Sequence, residues 1–212
     1  MKNVIIFGDS YSTFKGYIPE EYGAYYSSEE TDNTDVHAVD ETWWFPLCKE
    51  LDLTLVRNDS WSGATICYTG YLGDCSTTSS FIYRLERLHG EGFFAAQSID
   101  TVFVFGGTND DWCGAPIGEP ITEGMTREDL YSARPAISFF AKRLKEILPN
   151  SKVVFIINTL LKPEIAEMLE TAADRYGMYH LYLKDIDKQN GHPTVLGMAQ
   201  IREQVKTFLQ NL

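Results

Sequence analysis

Residues Thr101–Gly106 read Thr-Val-Phe-Val-Phe-Gly, an apolar run that ends in glycine. A second run, Lys152–Asn158, reads Lys-Val-Val-Phe-Ile-Ile-Asn and has the same character. A strand with one face in water alternates apolar and polar residues, whereas a strand covered on both faces is apolar at successive positions. Both runs therefore predict β-strands that are buried between two layers of helices.

Outward from these two runs, strands alternate with helical patterns. Further β-rich runs are Asn3–Phe7, Thr54–Arg57 and a weaker one at Met178–Leu183. Apolar residues recur at helical spacing in Glu41–Leu51, Ser79–Leu88, Arg127–Leu148 (with a break or kink expected at Pro135), Lys162–Tyr176 and Val195–Leu212. Such alternation predicts right-handed βαβ crossovers and a parallel sheet. We therefore expect one three-layer α/β domain over residues 1–212, with a five-stranded sheet.

Composition excludes several classes of protein. The 212 residues carry 18 basic and 30 acidic side chains, a formal net charge of −12. That charge would repel nucleic acid and anionic membranes, so neither is expected as a partner. No apolar run approaches the roughly 18 residues that span a bilayer, and the first apolar run is too short for a signal peptide, so we expect a cytoplasmic protein without membrane insertion. Four cysteines without a C-x-x-C pair predict neither a disulfide scaffold nor a zinc site.

One segment departs from the average composition. Residues 16–48 contain eight acidic residues and no Lys or Arg, with tyrosines and tryptophans interleaved. One interpretation is a solvated surface excursion that a few aromatic residues pin to the body of the domain. The other is a substrate wall, in which aromatic faces stack on sugar rings or acyl groups and the acids repel anionic ligands.

The first strand is followed by Gly8-Asp9-Ser10-Tyr11-Ser12. Glycine permits a tight turn, which would expose the serine close to free backbone N–H groups that could stabilise an oxyanion. By itself this pattern is also typical of a plain turn with a cap. An aspartyl phosphotransferase that uses Asp9 is a weaker alternative, because Tyr11 stands where that chemistry needs a second acid.

Three further motifs follow later strands. A loop glycine, Gly63, comes after the second strand and could bring its N–H close to a ligand. Gly107-Thr108-Asn109-Asp110 follows the third strand and supplies a side-chain amide, whereas Asp110 and Asp111 are expected to serve turn hydrogen bonds. His192 lies in a loop bounded by glycine and proline, directly before the last helix.

Taken together and in this order, these motifs resemble the four sequence blocks of the SGNH (GDSL-type) hydrolases. The blocks run from residue 8 to residue 193, nearly the whole chain. The resemblance implies a flavodoxin-like sheet with strand order 2-1-3-4-5, and ester hydrolysis that needs no metal and no cofactor. By position, Ser10 would be the nucleophile and His192 the base. The backbone N–H groups of Ser10 and Gly63 and the side-chain amide of Asn109 would form the oxyanion hole.

The chain departs from the family pattern at one position. The family places an acid three residues before the histidine, and here that residue is Gln189. Asp187 lies two residues further upstream. We predict that Asp187 orients His192, with Gln189 as the alternative, and with a backbone carbonyl as the third choice.

The expected function is that of a serine esterase acting on a small acyl or acetyl ester, including esters of carbohydrates. The alternative is a binding module on the same scaffold that has lost catalysis, which the glutamine in the acid position favours. The partner would in either case be a small molecule. The sequence does not predict the oligomeric state.

Overall fold

The computed structural model describes residues 2–212, so Met1 of the predicted domain lies outside the described residues. The strands are β1 (Lys2–Gly8), β2 (Leu53–Ser60), β3 (Thr69–Gly70), β4 (Gly73–Asp74), β5 (Thr101–Phe105), β6 (Lys152–Ile157), β7 (Tyr179–Tyr182), β8 (Lys188–Gln189) and β9 (His192–Pro193). The α-helices are α1 (Trp44–Glu50), α2 (Phe81–Gly90), α3 (Phe93–Ala96), α4 (Thr108–Trp112), α5 (Ala133–Ile147), α6 (Pro163–Arg175) and α7 (Val195–Gln210). None of the helices within residues 2–212 combines the length and apolar composition that crossing a bilayer requires.

The central sheet has five strands in the order β2-β1-β5-β6-β7. Every neighbouring pair is parallel. In chain order these are the five predicted strands, so the predicted order 2-1-3-4-5 and the flavodoxin-like α/β class are confirmed. β1 lies between β2 and β5, so its carboxyl end borders the point between β1 and β5 where the strand order reverses, the usual place of ligand sites in open α/β sheets.

Successive residues of each central strand enter different cores, because side chains in a strand alternate between faces. Ile5 and Phe7 of β1 pack into a core that includes residues of α2, α5 and α6. Val4 and Ile6 pack into a second core with residues of α1 and α7. The sheet is therefore covered by helices on both faces, which gives the predicted three layers.

Local structure differs from the sequence-based prediction around Pro135. The pattern predicted one helix over residues 127–148 with an internal break. Instead, a 3-10 turn spans Asp129–Tyr131, and α5 begins only at Ala133. Pro135 therefore lies in the first turn of α5, where a missing N–H costs no helical hydrogen bond.

A buried arginine ties the ends of β1 and β2 together. Arg84 of α2 is fully buried, and its guanidinium forms an ion pair with Asp59 at 3.0 Å. The same guanidinium donates to the backbone oxygens of Gly8 at 3.3 Å and Ser79 at 2.9 Å. Within β1 and β2, these contacts fix the backbone that leads into the two loops beyond the strands.

The end of β1 leaves no room for a side chain at Gly8. A Cβ atom there would lie 2.4 Å from Ser60 Oγ and 2.7 Å from Ser12 Cβ. Both distances are shorter than any ordinary contact, so the glycine is required for the close approach of β1, β2 and the turn after β1.

We expect Gly8→Ala to lower the free energy of unfolding by about 1–3 kcal/mol, the usual cost of overpacking a buried site. Urea denaturation with a fixed m-value would measure it. The matched control is Gly90→Ala at the end of α2, where an added Cβ meets open space. That variant should stay within about 1 kcal/mol of the unmodified protein, and equal stabilities of the two variants would contradict the steric argument.

Candidate active site

The predicted site residues meet at the carboxyl edge of the sheet. Ser10 begins a 3-10 turn directly after β1, and Asn109 lies in α4 directly after β5. His192 lies in β9, which pairs with β8 in a short antiparallel hairpin before α7. Because parallel strands end at the same edge, loops that are far apart in sequence converge there.

Ser10 and His192 are in direct contact. The distance between Ser10 Oγ and His192 Nε2 is 3.0 Å, a normal hydrogen bond. On the other side of the ring, His192 Nδ1 lies 3.2 Å from the backbone oxygen of Asn190. A carbonyl oxygen only accepts, so the proton is on Nδ1, and Nε2 is free to accept from the serine hydroxyl. This is the tautomer that a general base needs.

Asp9 caps the 3-10 turn that begins at Ser10. Its carboxylate accepts the Tyr11 N–H at 3.0 Å, and the residue is completely buried. Burial raises the pKa of Asp9 to about 7. A side chain enclosed in this way does not reach a substrate, which argues against the phosphotransferase alternative.

Aromatic rings surround the His192 imidazole. Tyr25 stacks on it with ring centroids 3.6 Å apart and planes 7° apart, and Trp112 meets it edge-on at 5.7 Å. Tyr11 lies against it at 5.4 Å, and the Tyr11 hydroxyl donates to the Gly191 backbone oxygen. These contacts restrict the ring to the orientation that faces Ser10.

The acid predicted from sequence is not brought to the histidine. The Asp187 carboxylate accepts the hydroxyl of Thr194, the residue that caps α7, and the Asp187 N–H donates to Gln200 at 2.7 Å. The acceptor on His192 is the Asn190 carbonyl, the third choice of the sequence analysis. The physical reason is the tight β8–β9 hairpin, in which Asn190 adopts a left-handed φ of 51° and directs its carbonyl back toward the ring.

Gln189 also faces away from the imidazole, toward the acidic segment. Its side-chain amide donates to the Asp32 backbone oxygen at 3.0 Å. Nearby, the Asp35 carboxylate accepts the Val195 N–H at 2.9 Å at the start of α7. The segment 16–48 therefore packs against the hairpin that carries His192, and through Tyr25 it forms a wall of the site.

The predicted oxyanion donors lie around the same edge. Gly63 has a φ of +80°, a left-handed conformation that favours glycine. Within residues 2–212, neither the Ser10 N–H nor the Gly63 N–H has a hydrogen-bond acceptor. Asp110 in α4 accepts the N–H groups of Ile66 at 2.9 Å and Cys67 at 3.0 Å, which fixes the Gly63 loop against α4. Asp110 was expected to serve turn hydrogen bonds, but the bonds it accepts come from the distant loop after β2 and not from its own turn.

Asn109 is held by two hydrogen bonds. Its Nδ2 donates to the Ala64 backbone oxygen at 3.0 Å, and its Oδ1 accepts the hydroxyl of Tyr71 at 3.0 Å. One Nδ2 proton is used by Ala64, so the second remains for a ligand. The left-handed Gly107, with a φ of 95°, directly precedes α4 and turns the chain so that Asn109 lies in the first turn of the helix, close to the end of β5.

Sequence reasoning missed Lys188. Its Nζ donates to Asn158 Oδ1 at 3.1 Å and to Thr159 Oγ1 at 2.8 Å, just beyond β6. Lys188 thereby anchors the His192 hairpin to the sheet edge. Burial lowers the pKa of His192, the Asn190 carbonyl opposes that effect, and the charge of Lys188 lowers the pKa further. Asn158, the polar residue directly after β6, was the one sequence signal that could have indicated this anchor.

Within residues 2–212, no group of three or more His, Cys, Asp or Glu side chains is arranged to hold a metal ion.

Comparisons with known proteins identify the family of this chain. The model of the GDSL-like lipase/acylhydrolase family matches residues 2–209. A candidate GDSL-like lipase from Bacteroides ovatus ATCC 8483 is 41% identical, with a TM-score of 0.92, over 100% of this chain and 99% of that one. Another from Bacteroides uniformis ATCC 8492 is 40% identical, with a TM-score of 0.91, over 100% and 97%.

More distant structures share the fold alone. The aryl esterase of M. Smegmatis is 18% identical, with a TM-score of 0.64, over 100% of both chains. A search of curated proteins found no match. Because the family match covers residues 2–209 and two solved relatives are at least 40% identical over the full chain, this protein belongs to the GDSL-like lipase/acylhydrolase family.

Proposed function

We propose that this protein is a serine esterase that hydrolyses small neutral acyl or acetyl esters, carbohydrate esters included. The observation that carries the proposal is the 3.0 Å contact between Ser10 Oγ and His192 Nε2, in the tautomer that accepts a proton. A serine hydroxyl becomes an effective nucleophile only when a base takes its proton, and a neutral imidazole performs that task near neutral pH.

The reaction follows from these positions. Ser10 Oγ attacks the ester carbonyl carbon while its proton passes to His192 Nε2. The negative charge that develops on the carbonyl oxygen is held by the N–H groups of Ser10 and Gly63 and by the free Nδ2 proton of Asn109. His192 then protonates the leaving alcohol, and water hydrolyses the acyl-serine with His192 again acting as the base.

The imidazolium that forms in each step has a backbone partner in place of a carboxylate. The Asn190 carbonyl accepts the Nδ1 proton, and Tyr25 holds the ring plane by stacking. A neutral acceptor stabilises the imidazolium less than a carboxylate does. We therefore propose a Ser10–His192 dyad, in which aromatic packing supplies the orientation that an acid provides elsewhere.

Charge around the site favours neutral substrates. The chain carries a net charge of −12, and the acidic segment 16–48 forms one wall through Tyr25. Trp112, which packs against His192, and Tyr71, which bonds to Asn109, are each about half exposed and offer apolar surface. An uncharged ester with an apolar or ring-shaped part fits these surroundings better than an anionic one.

The competing function is a binding module without catalysis. The absence of a carboxylate partner for His192, within residues 2–212, is the observation that favours it. Covalent chemistry at Ser10 separates the two functions, because only an activated serine reacts with a fluorophosphonate.

We expect fluorophosphonate to label the native protein, and Ser10→Ala to abolish labelling and to lower p-nitrophenyl acetate turnover by roughly 10⁴-fold or more. The matched control is Ser138→Ala, which removes a buried serine hydroxyl that has no hydrogen-bond partner among residues 2–212. Ser138→Ala should keep both the fluorophosphonate labelling and the p-nitrophenyl acetate turnover of the unmodified protein. Unchanged turnover in Ser10→Ala would refute the esterase, and folded wild-type protein that never labels would support the binding module.

Neither the Asp187 side chain nor the Gln189 side chain should be essential for catalysis. We expect Asp187→Asn and Gln189→Ala each to lower kcat by less than about tenfold, far below the 10²–10⁴ that acid–base machinery supplies. Asp187→Asn keeps an acceptor for the Thr194 hydroxyl, so the cap of α7 survives. Steady-state kinetics on a neutral acetyl ester would measure both variants, and a loss above 100-fold in either would return the orienting role to that residue.

The acid limb of the pH profile reports the His192 environment. Because burial and Lys188 lower the pKa of His192, the neutral base persists to lower pH, and kcat/KM should fall only below the usual histidine pKa of about 6.5. Lys188→Met removes the positive charge, so the pKa should rise and the acid limb should move to higher pH. Lys188→Arg keeps the charge and should leave the limb in place. A limb that is unmoved in Lys188→Met would exclude this electrostatic effect.

A further inference from the structure

Tyr71 hydrogen-bonds to Asn109 and lies beside Gly63, the two proposed oxyanion-hole residues outside the nucleophile turn. Its hydroxyl lies 3.0 Å from Asn109 Oδ1, and its ring borders Gly63, where a Cβ would meet Tyr71 Cδ2 at 3.9 Å. It stands at the tip of the β3–β4 hairpin, next to the fully exposed Leu72. Sequence reasoning gave this residue no role.

The direction of the Tyr71 hydrogen bond is fixed by chemistry. The Ala64 carbonyl can only accept, so the Asn109 atom that faces it is Nδ2, and the atom that faces Tyr71 is Oδ1. Oδ1 can only accept, so the Tyr71 hydroxyl donates. Burial raises the pKa of Tyr71 to about 12, which keeps this hydroxyl protonated at neutral pH.

With both ends of the amide held, its plane is fixed, and the second Nδ2 proton points in one direction. A donated hydrogen bond at Oδ1 also polarises the amide, so its N–H becomes a stronger donor, as expected for coupled hydrogen bonds. Both effects matter most when negative charge develops on the substrate oxygen.

The hairpin that presents Tyr71 is itself anchored. The Thr69 hydroxyl donates to the Tyr131 backbone oxygen at 2.7 Å, and the Tyr131 hydroxyl donates to Asp74 at 2.9 Å. The Cys75 N–H donates to the Tyr68 backbone oxygen at 2.8 Å. Bonds on both strands of the hairpin therefore hold the tip over Asn109.

We propose that Tyr71 is a positioning residue of the oxyanion hole, acting through the Asn109 amide. The proposal rests on the esterase function proposed above. It assigns to the hydroxyl of Tyr71 a part in stabilising the transition state, and not in binding the ground-state ester.

Tyr71→Phe removes only the hydroxyl and keeps the ring. We expect kcat on a neutral acetyl ester to fall by between about twofold and tenfold, the range that one hydrogen bond is worth, with KM within about twofold. A silent variant, or one that raises KM alone, would overturn the proposal. Tyr131→Phe is the matched control, since it removes a hydroxyl bond from the same hairpin without touching Asn109. An equal loss of kcat in the control would assign the effect to a loosened hairpin.

A double-mutant cycle tests whether Tyr71 acts through Asn109. Asn109→Ala alone should lower kcat by about 10²-fold. In that background, Tyr71→Phe should change kcat by less than about twofold, because the amide it orients is gone. The same loss in both backgrounds would show that Tyr71 acts elsewhere and would overturn the proposal.

A measurement without substrate separates this proposal from the esterase function. In ¹⁵N-asparagine-labelled protein, the Asn109 side-chain amide is the pair of resonances absent from Asn109→Ala. That pair should move in Tyr71→Phe and stay in place in Tyr131→Phe. An unmoved pair in Tyr71→Phe would overturn the positioning role even in an active esterase. If Ser10 fails to react with fluorophosphonate but the pair moves, the proposed function fails while the contact with Asn109 stands.

Discussion

The rest of the site depends on the buried ion pair between the guanidinium of Arg84 and the carboxylate of Asp59. The guanidinium is fully buried and also holds the Gly8 carbonyl, so it joins α2 to the ends of two neighbouring strands. An unpaired charge in this position would cost several kcal/mol, so the three elements cannot separate without exposing or stranding the charge. Ser10 follows β1 directly, and the Gly63 loop follows β2. The geometry of the proposed nucleophile and of one proposed oxyanion donor therefore derives from a cation that is fully buried.

The histidine of the proposed Ser10–His192 dyad is held differently from the histidine of a triad with a carboxylate. Its Nδ1 proton is accepted by the Asn190 carbonyl of its own hairpin, and its ring is stacked on Tyr25. Lys188, on the same hairpin, anchors it to the end of β6 and lowers the pKa of the histidine. The arrangement keeps the imidazole neutral and directed at Ser10, which suits a base. In the proposed reaction it would give less support to the imidazolium, so a larger share of transition-state stabilisation would fall on the proposed oxyanion hole.

Both interpretations of the acidic segment 16–48 describe part of its structure: aromatic residues anchor it to the domain, and it forms a wall beside His192. Trp43, Trp44 and Tyr26 are buried and pin the segment to the domain. Tyr25, which precedes Tyr26 in the chain, instead stacks on the imidazole of His192. Because aromatic side chains bury large apolar areas, a segment with little regular secondary structure is held in place and still contributes a wall to the site.

The sequence by itself predicted the parallel sheet and the convergence of its polar loops, and its resemblance to the SGNH hydrolases implied the strand order and the candidate nucleophile, base and oxyanion residues. Doubly apolar strands require helices on both faces, and glycine, serine, asparagine and histidine directly after strands must meet at one edge of the sheet. It did not determine the partner of His192, the anchor at Lys188 or the contact between Tyr71 and Asn109. These contacts depend on the atomic positions in two short hairpins, β3–β4 and β8–β9. Within the β8–β9 hairpin, a left-handed Asn190 turns a carbonyl toward the imidazole while Asp187 caps α7 through Thr194. Such choices are made by backbone dihedrals and packing in the folded chain, and neither residue type nor spacing encodes them.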